Sequence, residues 1–152
     1  MKWESMPMSL MIGPLALGIA AAVLPYLVEH PDLVEGSLLA PFLLVGMAGV
    51  QFAFFPDAGS GRKAATGEIP FYPVAGSGRK AEMIAGIWVG MLVAFLPQIA
   101  FFVWFVPVIL IWLAQSMTMW YRNYPPFRVG MWIGFGLVSG LYIGGILAHN
   151  LL

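Results

Sequence analysis

The side chains of this chain best suited to hold a metal or move a proton are two histidines and seven acidic residues. Glu29, His30, Asp32 and Glu35 form one short cluster of hard ligands. Pro31 interrupts it, and a proline breaks the helical spacing that would bring these groups to one face. His30, beside Pro31 and acids, reads most simply as a solvated residue, and so does His149 near the end of the chain. A pair of axial histidines on a haem belongs inside a bundle, and neither histidine lies in the middle of an apolar run. Cysteine is absent, which removes disulfides, thiolate metal sites and cysteine nucleophiles. No Ser–His–Asp spacing stands out. These residues therefore assign no catalytic group and no metal, and no cofactor is expected beyond bound lipid.

One motif repeats. Ala58-Gly59-Ser60-Gly61-Arg62-Lys63-Ala64 recurs as Ala75-Gly76-Ser77-Gly78-Arg79-Lys80-Ala81. Glycine-rich backbone next to lysine suits an anion. The P-loop spacing G-x-x-x-x-G-K-[ST] is not met, because arginine follows Gly61 and Gly78 and neither lysine precedes Ser or Thr. What remains is a basic connector. Arg62, Lys63, Arg79 and Lys80 would touch anionic headgroups or a partner, each basic charge contributing about 1 kcal/mol at a membrane surface. Between the copies, Ile69-Pro70-Phe71-Tyr72-Pro73 is apolar for a loop, which suits docking on a membrane surface or a partner subunit.

The elements that carry these residues are set by hydropathy. Met83 to Trp120 holds no Asp, Glu, Lys or Arg, and neither does Val129 to Leu152. The whole chain is 61% hydrophobic and 9% charged, against about 25% charged in soluble domains. Its mean hydropathy is +0.88. About 20 apolar residues cross the hydrocarbon once, so these runs predict an all-α, polytopic membrane bundle, one domain over residues 1–152. Seven basic and seven acidic residues balance, and no nucleic-acid partner is implied. The first apolar segment exceeds the roughly 7–15 residues of a signal-peptide core and lacks an A-x-A site, so it reads as a retained helix.

Helices are expected at about 7–28, 37–55, 83–98, 105–121 and 129–151, with a polar loop at 56–80. A single helix over 83–120 would be about 57 Å long against a core of about 30 Å. Two short helices, or a re-entrant hairpin, turning between Pro97 and Pro107 fit better; one long kinked helix, giving four crossings, is the runner-up. Charge agrees with five. The basic residues are Lys2, Arg62, Lys63, Arg79, Lys80, Arg122 and Arg128, and short basic loops favour the cytoplasm. Loop 56–80 then faces in, the uncharged-by-lysine link at 29–36 faces out, and an even number of crossings keeps Arg122 and Arg128 inside. Phe101, Phe102, Trp104 and Phe105 suit one interfacial belt, and Trp120, Tyr121, Tyr124 and Phe127 the other. A pigment or quinone pocket also uses aromatics, but anchoring needs no further assumption.

Small residues recur at four-residue steps: Gly136, Gly140 and Gly144, preceded by Gly130 and Gly134, and Gly86, Gly90 and Ala94. Such steps let helix backbones approach in lipid; Val138 is expected to lie off this face. No ionisable residue sits near a helix centre, which argues against a proton-coupled carrier acting alone. Three functions follow. The first is a non-catalytic integral subunit that packs into and stabilises a larger membrane complex, energy-transducing complexes included. The second is a small oligomeric channel or carrier. The third is a membrane enzyme or lipid-binding protein that uses the basic loop. Membrane lipids, larger subunits and copies of the chain itself are the expected partners.

Overall fold

The computed structural model describes residues 8–28, 39–51, 77–101, 103–119 and 125–152, with the backbone alone at 8–10, 39–40, 77–79 and 119. Among these residues there are five α-helices and no strand: α1 Met8–Leu27, α2 Leu39–Val50, α3 Ser77–Phe95, α4 Phe105–Met119 and α5 Pro126–Leu151. A 3-10 turn, Leu96–Ile99, follows α3. The charge-free stretch after Met83 is therefore two helices rather than one. The link at 29–38, the loop up to residue 76 and residues 120–124 lie outside the described residues.

The helix ends have local causes. Pro125 adopts an extended conformation, φ −63° and ψ 155°, ahead of α5. Pro126 then occupies the first turn, where no backbone donor is needed, and the Arg128 and Val129 N–H groups close on the Pro125 carbonyl at 3.0 and 3.2 Å. Pro107 falls in the first turn of α4 for the same reason. Pro97 occupies the 3-10 turn, whose end is held by the Ala100 and Phe101 N–H groups on the Pro97 carbonyl, at 3.1 and 2.8 Å. Helix α3 begins at Ser77, upstream of the apolar run that starts at Met83. Hydropathy marks where lipid solvates a helix, and Arg79, Lys80 and Ala81 are good helix formers in water.

Helix α5 is the centre. Its apolar window is 72% buried, against 33% for Lys80–Ile99. Contacts along the chain give the helix directions. Gly86 meets Phe127 and Gly90 meets Met131, so α3 runs parallel to α5; Gly140 meets Leu15 and Gly144 meets Ile19, so α1 does too. Ser116 pairs with Trp132 and Phe105 with Tyr142, so α4 is antiparallel. Phe42 stacks on Phe95 and Gly46 meets Met91, so α2 is antiparallel to α3. The starts of α1, α3 and α5 thus share one end with the finishes of α2 and α4.

Two helical segments, Lys80–Ile99 and Pro126–Leu151, are long and apolar enough to cross a membrane, with mean hydropathy 1.6 and 1.7. The others are shorter apolar helices. At 1.5 Å per residue, α2 with 12 residues spans about 18 Å and α4 with 15 residues about 22 Å.

Candidate functional site

Three faces of α5 make the interior, and they differ in chemistry. Toward α3 the contact is backbone on backbone. A Cβ on Gly130 would collide with the Met83 carbonyl and lie 2.9 Å from the Ile87 nitrogen; one on Gly134 would collide with the Ile87 carbonyl. From the other side, a Cβ on Gly86 would meet the Phe127 carbonyl, and one on Gly90 would lie 2.5 Å from the Met131 carbonyl oxygen. Toward α1 the same arrangement recurs. Gly18 faces Leu137 and Gly140, while Gly144 sits where a Cβ would be 2.7 Å from the Ile19 carbonyl oxygen. Only glycine permits this approach, because any side chain would have to occupy the partner's main chain.

The third face, toward α4, is built from side chains. Trp132 Nε1 donates to Ser116 Oγ at 2.8 Å, and Ser116 Oγ in turn donates to the Trp112 carbonyl at 2.8 Å. Both groups are buried, with Trp132 fully so and Ser116 2% exposed. The serine hydroxyl thus links two tryptophans across the seam, acceptor to one and donor to the other's backbone. Trp112 also overlies Gly136, where a Cβ would be 2.7 Å from the indole nitrogen. Nearer the turn, Phe105 meets Tyr142 edge-on with ring centroids 6.5 Å apart. Tyr142 Oη donates to the Ala94 carbonyl at 3.2 Å. Ser139 Oγ is fully buried and has no hydrogen-bond partner; Gln115 Oε1 and Trp104 Nε1 are likewise buried without one.

The glycines singled out by spacing fall on different faces. Gly86 and Gly90 lie on the α3 seam, Gly140 and Gly144 on the α1 seam, and Gly136 beneath Trp112. Of the four basic residues, Lys80 is half-buried in the first turns of α3, Arg79 precedes it in the helix, and Arg62 and Lys63 lie outside the described residues. His149 is exposed at the end of α5, and Glu29, His30, Asp32 and Glu35 lie outside the described residues. Among the described residues no three His, Cys, Asp or Glu side chains cluster.

The hydrogen-bonded tryptophan–serine seam was not assembled by spacing. Ser116 and Ser139 stand out as polar residues inside apolar runs, but nothing local pairs Ser116 with a tryptophan 16 residues away. Outside the bundle, an open apolar hollow of about 440 Å³ is lined by Phe101, Val103, Trp104, Val106 and Pro107.

The chain matches no protein-family model, and no curated protein or solved structure matches it at a significant level.

Proposed function

We propose that this chain is a multi-pass integral membrane subunit without catalysis of its own, which packs into and stabilises a larger membrane complex. The observation that carries the proposal is the outer surface. Leu24, Leu44, Met47, Leu92, Leu110, Met117 and Leu147 are all exposed, around an interior of Ile87, Met91, Leu137 and Val138 packed with close-approach glycines. Exposed apolar area on this scale marks contact with lipid or another protein. The alternating helix directions suit a chain that crosses repeatedly, with the 56–76 segment and the start of α3 on the cytoplasmic side and Arg62, Lys63, Arg79 and Lys80 against anionic headgroups.

The test is gentle detergent extraction of the tagged chain followed by native mass measurement. The expected result is stable co-purification with larger, different chains. A homo-oligomer of this chain alone would overturn the subunit reading and select the channel or carrier, whose pore would then run between copies because α5 fills the centre of each.

A further inference from the structure

The turn between α3 and α4 stops short of the ends of its neighbours. Gly134 lies against Ile87, Gly90 and Met91, which fixes the level of α3 on α5. Counting upward along the two parallel helices, with the tighter rise of the 3-10 turn, puts Ile99 level with about residue 145. Phe105 meets Tyr142 edge-on, so α4 starts back down from nearly the same level. Helix α5 runs on to Leu151, about 9 Å further at 1.5 Å per residue. Helix α1 keeps pace with it, because Gly144 lies against Ile19 and Ala22 and α1 continues to Leu27. The surfaces that overtop the turn are apolar: Leu27 and Val28 after α1, and Ile146, Leu147 and Leu151 on α5, are all exposed.

The turn itself has little to offer water. Ile99, Phe101 and Val103 are 77%, 62% and 65% exposed. Gln98 and Trp104 supply its only polar side-chain groups, and the nearest charged residues are Glu82 and Arg122. Its main chain bonds to itself. The Ala100 and Phe101 N–H groups donate to the Pro97 carbonyl, Trp104 N–H to Phe101 at 3.0 Å, and Val106 N–H to Val103 at 3.2 Å. Pro97 and Pro107 have no N–H to satisfy. Hydrocarbon tolerates backbone whose polar groups are paired within the protein, and this turn pairs its own. Beside it lies the hollow of about 440 Å³ lined by Phe101, Val103, Trp104, Val106 and Pro107. A protein interface surrounds an apolar centre with a polar rim. Here the apolar surface continues past the hollow, to Leu110 on α4, Leu96 after α3, and the exposed ends of α1 and α5. Apolar surface on several sides at one level fits a fluid that surrounds the bundle better than a partner seated on one side.

We infer that the α3–α4 turn ends inside the membrane, below the headgroups, and that the hollow beside it holds a lipid acyl chain. The inference rests on the membrane reading proposed above and is independent of the subunit reading. Phe101 and Trp104 then contact acyl chains rather than headgroups, and the crossing made by α3 and α4 is shallower at this end than those of α1 and α5.

The experiment measures depth. The chain has no native cysteine, so spin labels go singly on cysteines replacing the exposed residues Ile99, Phe101 and Val103 in the full chain, purified with any chains that accompany it, in phosphatidylcholine nanodiscs. Leu92, exposed further down α3, is the reference for hydrocarbon, and Asn150, exposed at the end of α5, marks the bundle end. Accessibility to oxygen, which partitions into hydrocarbon, is compared with accessibility to a water-soluble nickel chelate. The expected oxygen-to-nickel ratio at the three turn positions matches that at Leu92 and exceeds that at Asn150. A low ratio at the turn with a high one at Leu92 would put the turn in water and overturn the inference while the membrane reading stands. A low ratio at Leu92 as well would overturn the membrane reading itself. Poor access of both reagents to the turn would show that protein covers it, and no acyl chain fills the hollow. The three positions are read independently, so a variant that fails to fold leaves the other two to decide.

Discussion

Toward α3 and α1, helix α5 presents Gly130, Gly134, Gly140 and Gly144 to bare main chain; toward α4 it presents Trp132 and Tyr142 to Ser116 and Phe105. The first kind of seam works by exclusion. In lipid, helices gain little from apolar burial, so association rests on close approach and on hydrogen bonds. Glycine seams maximise close approach and leave no group free for chemistry. The α4 seam does the reverse: it keeps the helices apart by the width of side chains and ties them through indole and hydroxyl groups. The first seam makes a rigid core of three parallel helices. The second carries the buried tryptophan–serine hydrogen bonds, and its partner is the helix that follows the Pro97 break.

The comparison breaks most easily at the glycines. Gly140→Leu drives a side chain into the Leu15 carbonyl and the Gly18 backbone, whereas a Cβ on Gly145 meets nothing within 4 Å. Overpacking a tight contact costs about 1–3 kcal/mol, and more where main chain must move. Gly140→Leu should therefore fall at the upper end of that range, and Gly145→Leu near zero, in the denaturant midpoint of the purified protein. Equal midpoints would remove the backbone-contact account of the α1 seam. Val138, expected to lie off the glycine face, is no neutral control, since it is fully buried too.

The polar seam is sharpened by a smaller effect. Ser116→Ala leaves the buried Trp132 indole without its acceptor. A net loss of about 1 kcal/mol is expected, within the range of hydrogen bonds between membrane helices. Trp132→Phe made in the Ser116→Ala background should then cost less than it does in the parent, because the donor has already lost its partner. Strict additivity of the two changes would mean the 2.8 Å bond does not hold the seam.

These two seams were unequally readable in the sequence. The five-helix division followed from the length of the charge-free stretch and the placement of Arg122 and Arg128, both local quantities. The four-residue glycine steps were visible as well, but not the partner of each. Gly18 and Ala22 make a four-residue step of the same kind, and they meet α5 only through the parallel placement of α1. Spacing sets Val138 off the glycine face, but a single helix cannot show that this residue too is surrounded. Ser116 and Trp132 belong together only once α4 and α5 are antiparallel. The start of α3 at Ser77 is not marked by hydropathy, because a helix's hydrogen-bond ladder runs on through good helix formers whether they are polar or apolar.

The smallest effect tests the directions on which the comparison rests. The glycine seams join parallel helices and the polar seam joins antiparallel ones, so the first turns of α3 and α5, with Lys80 and Arg128, share one end of the bundle. If the chain crosses a membrane, single cysteines at Ser60 and Asn123 should react with an impermeant thiol reagent from the same side. Labelling from opposite sides would contradict the directions drawn from Gly86–Phe127 and Ser116–Trp132. Exchanging each basic residue for the other at Arg62, Lys63, Arg79 and Lys80 should leave that labelling and the yield of complex unchanged, because the inside signal and headgroup attraction depend on charge. Converting all four to Gln should weaken or scramble insertion, since only Lys2, Arg122 and Arg128 would then mark that end. A bidentate contact behaves differently, because lysine lacks the guanidinium fork. Loss of the complex on Arg62→Lys or Arg79→Lys alone would therefore show that the basic repeat recognises a phosphate or carboxylate in a fixed geometry, and that charge alone does not explain it.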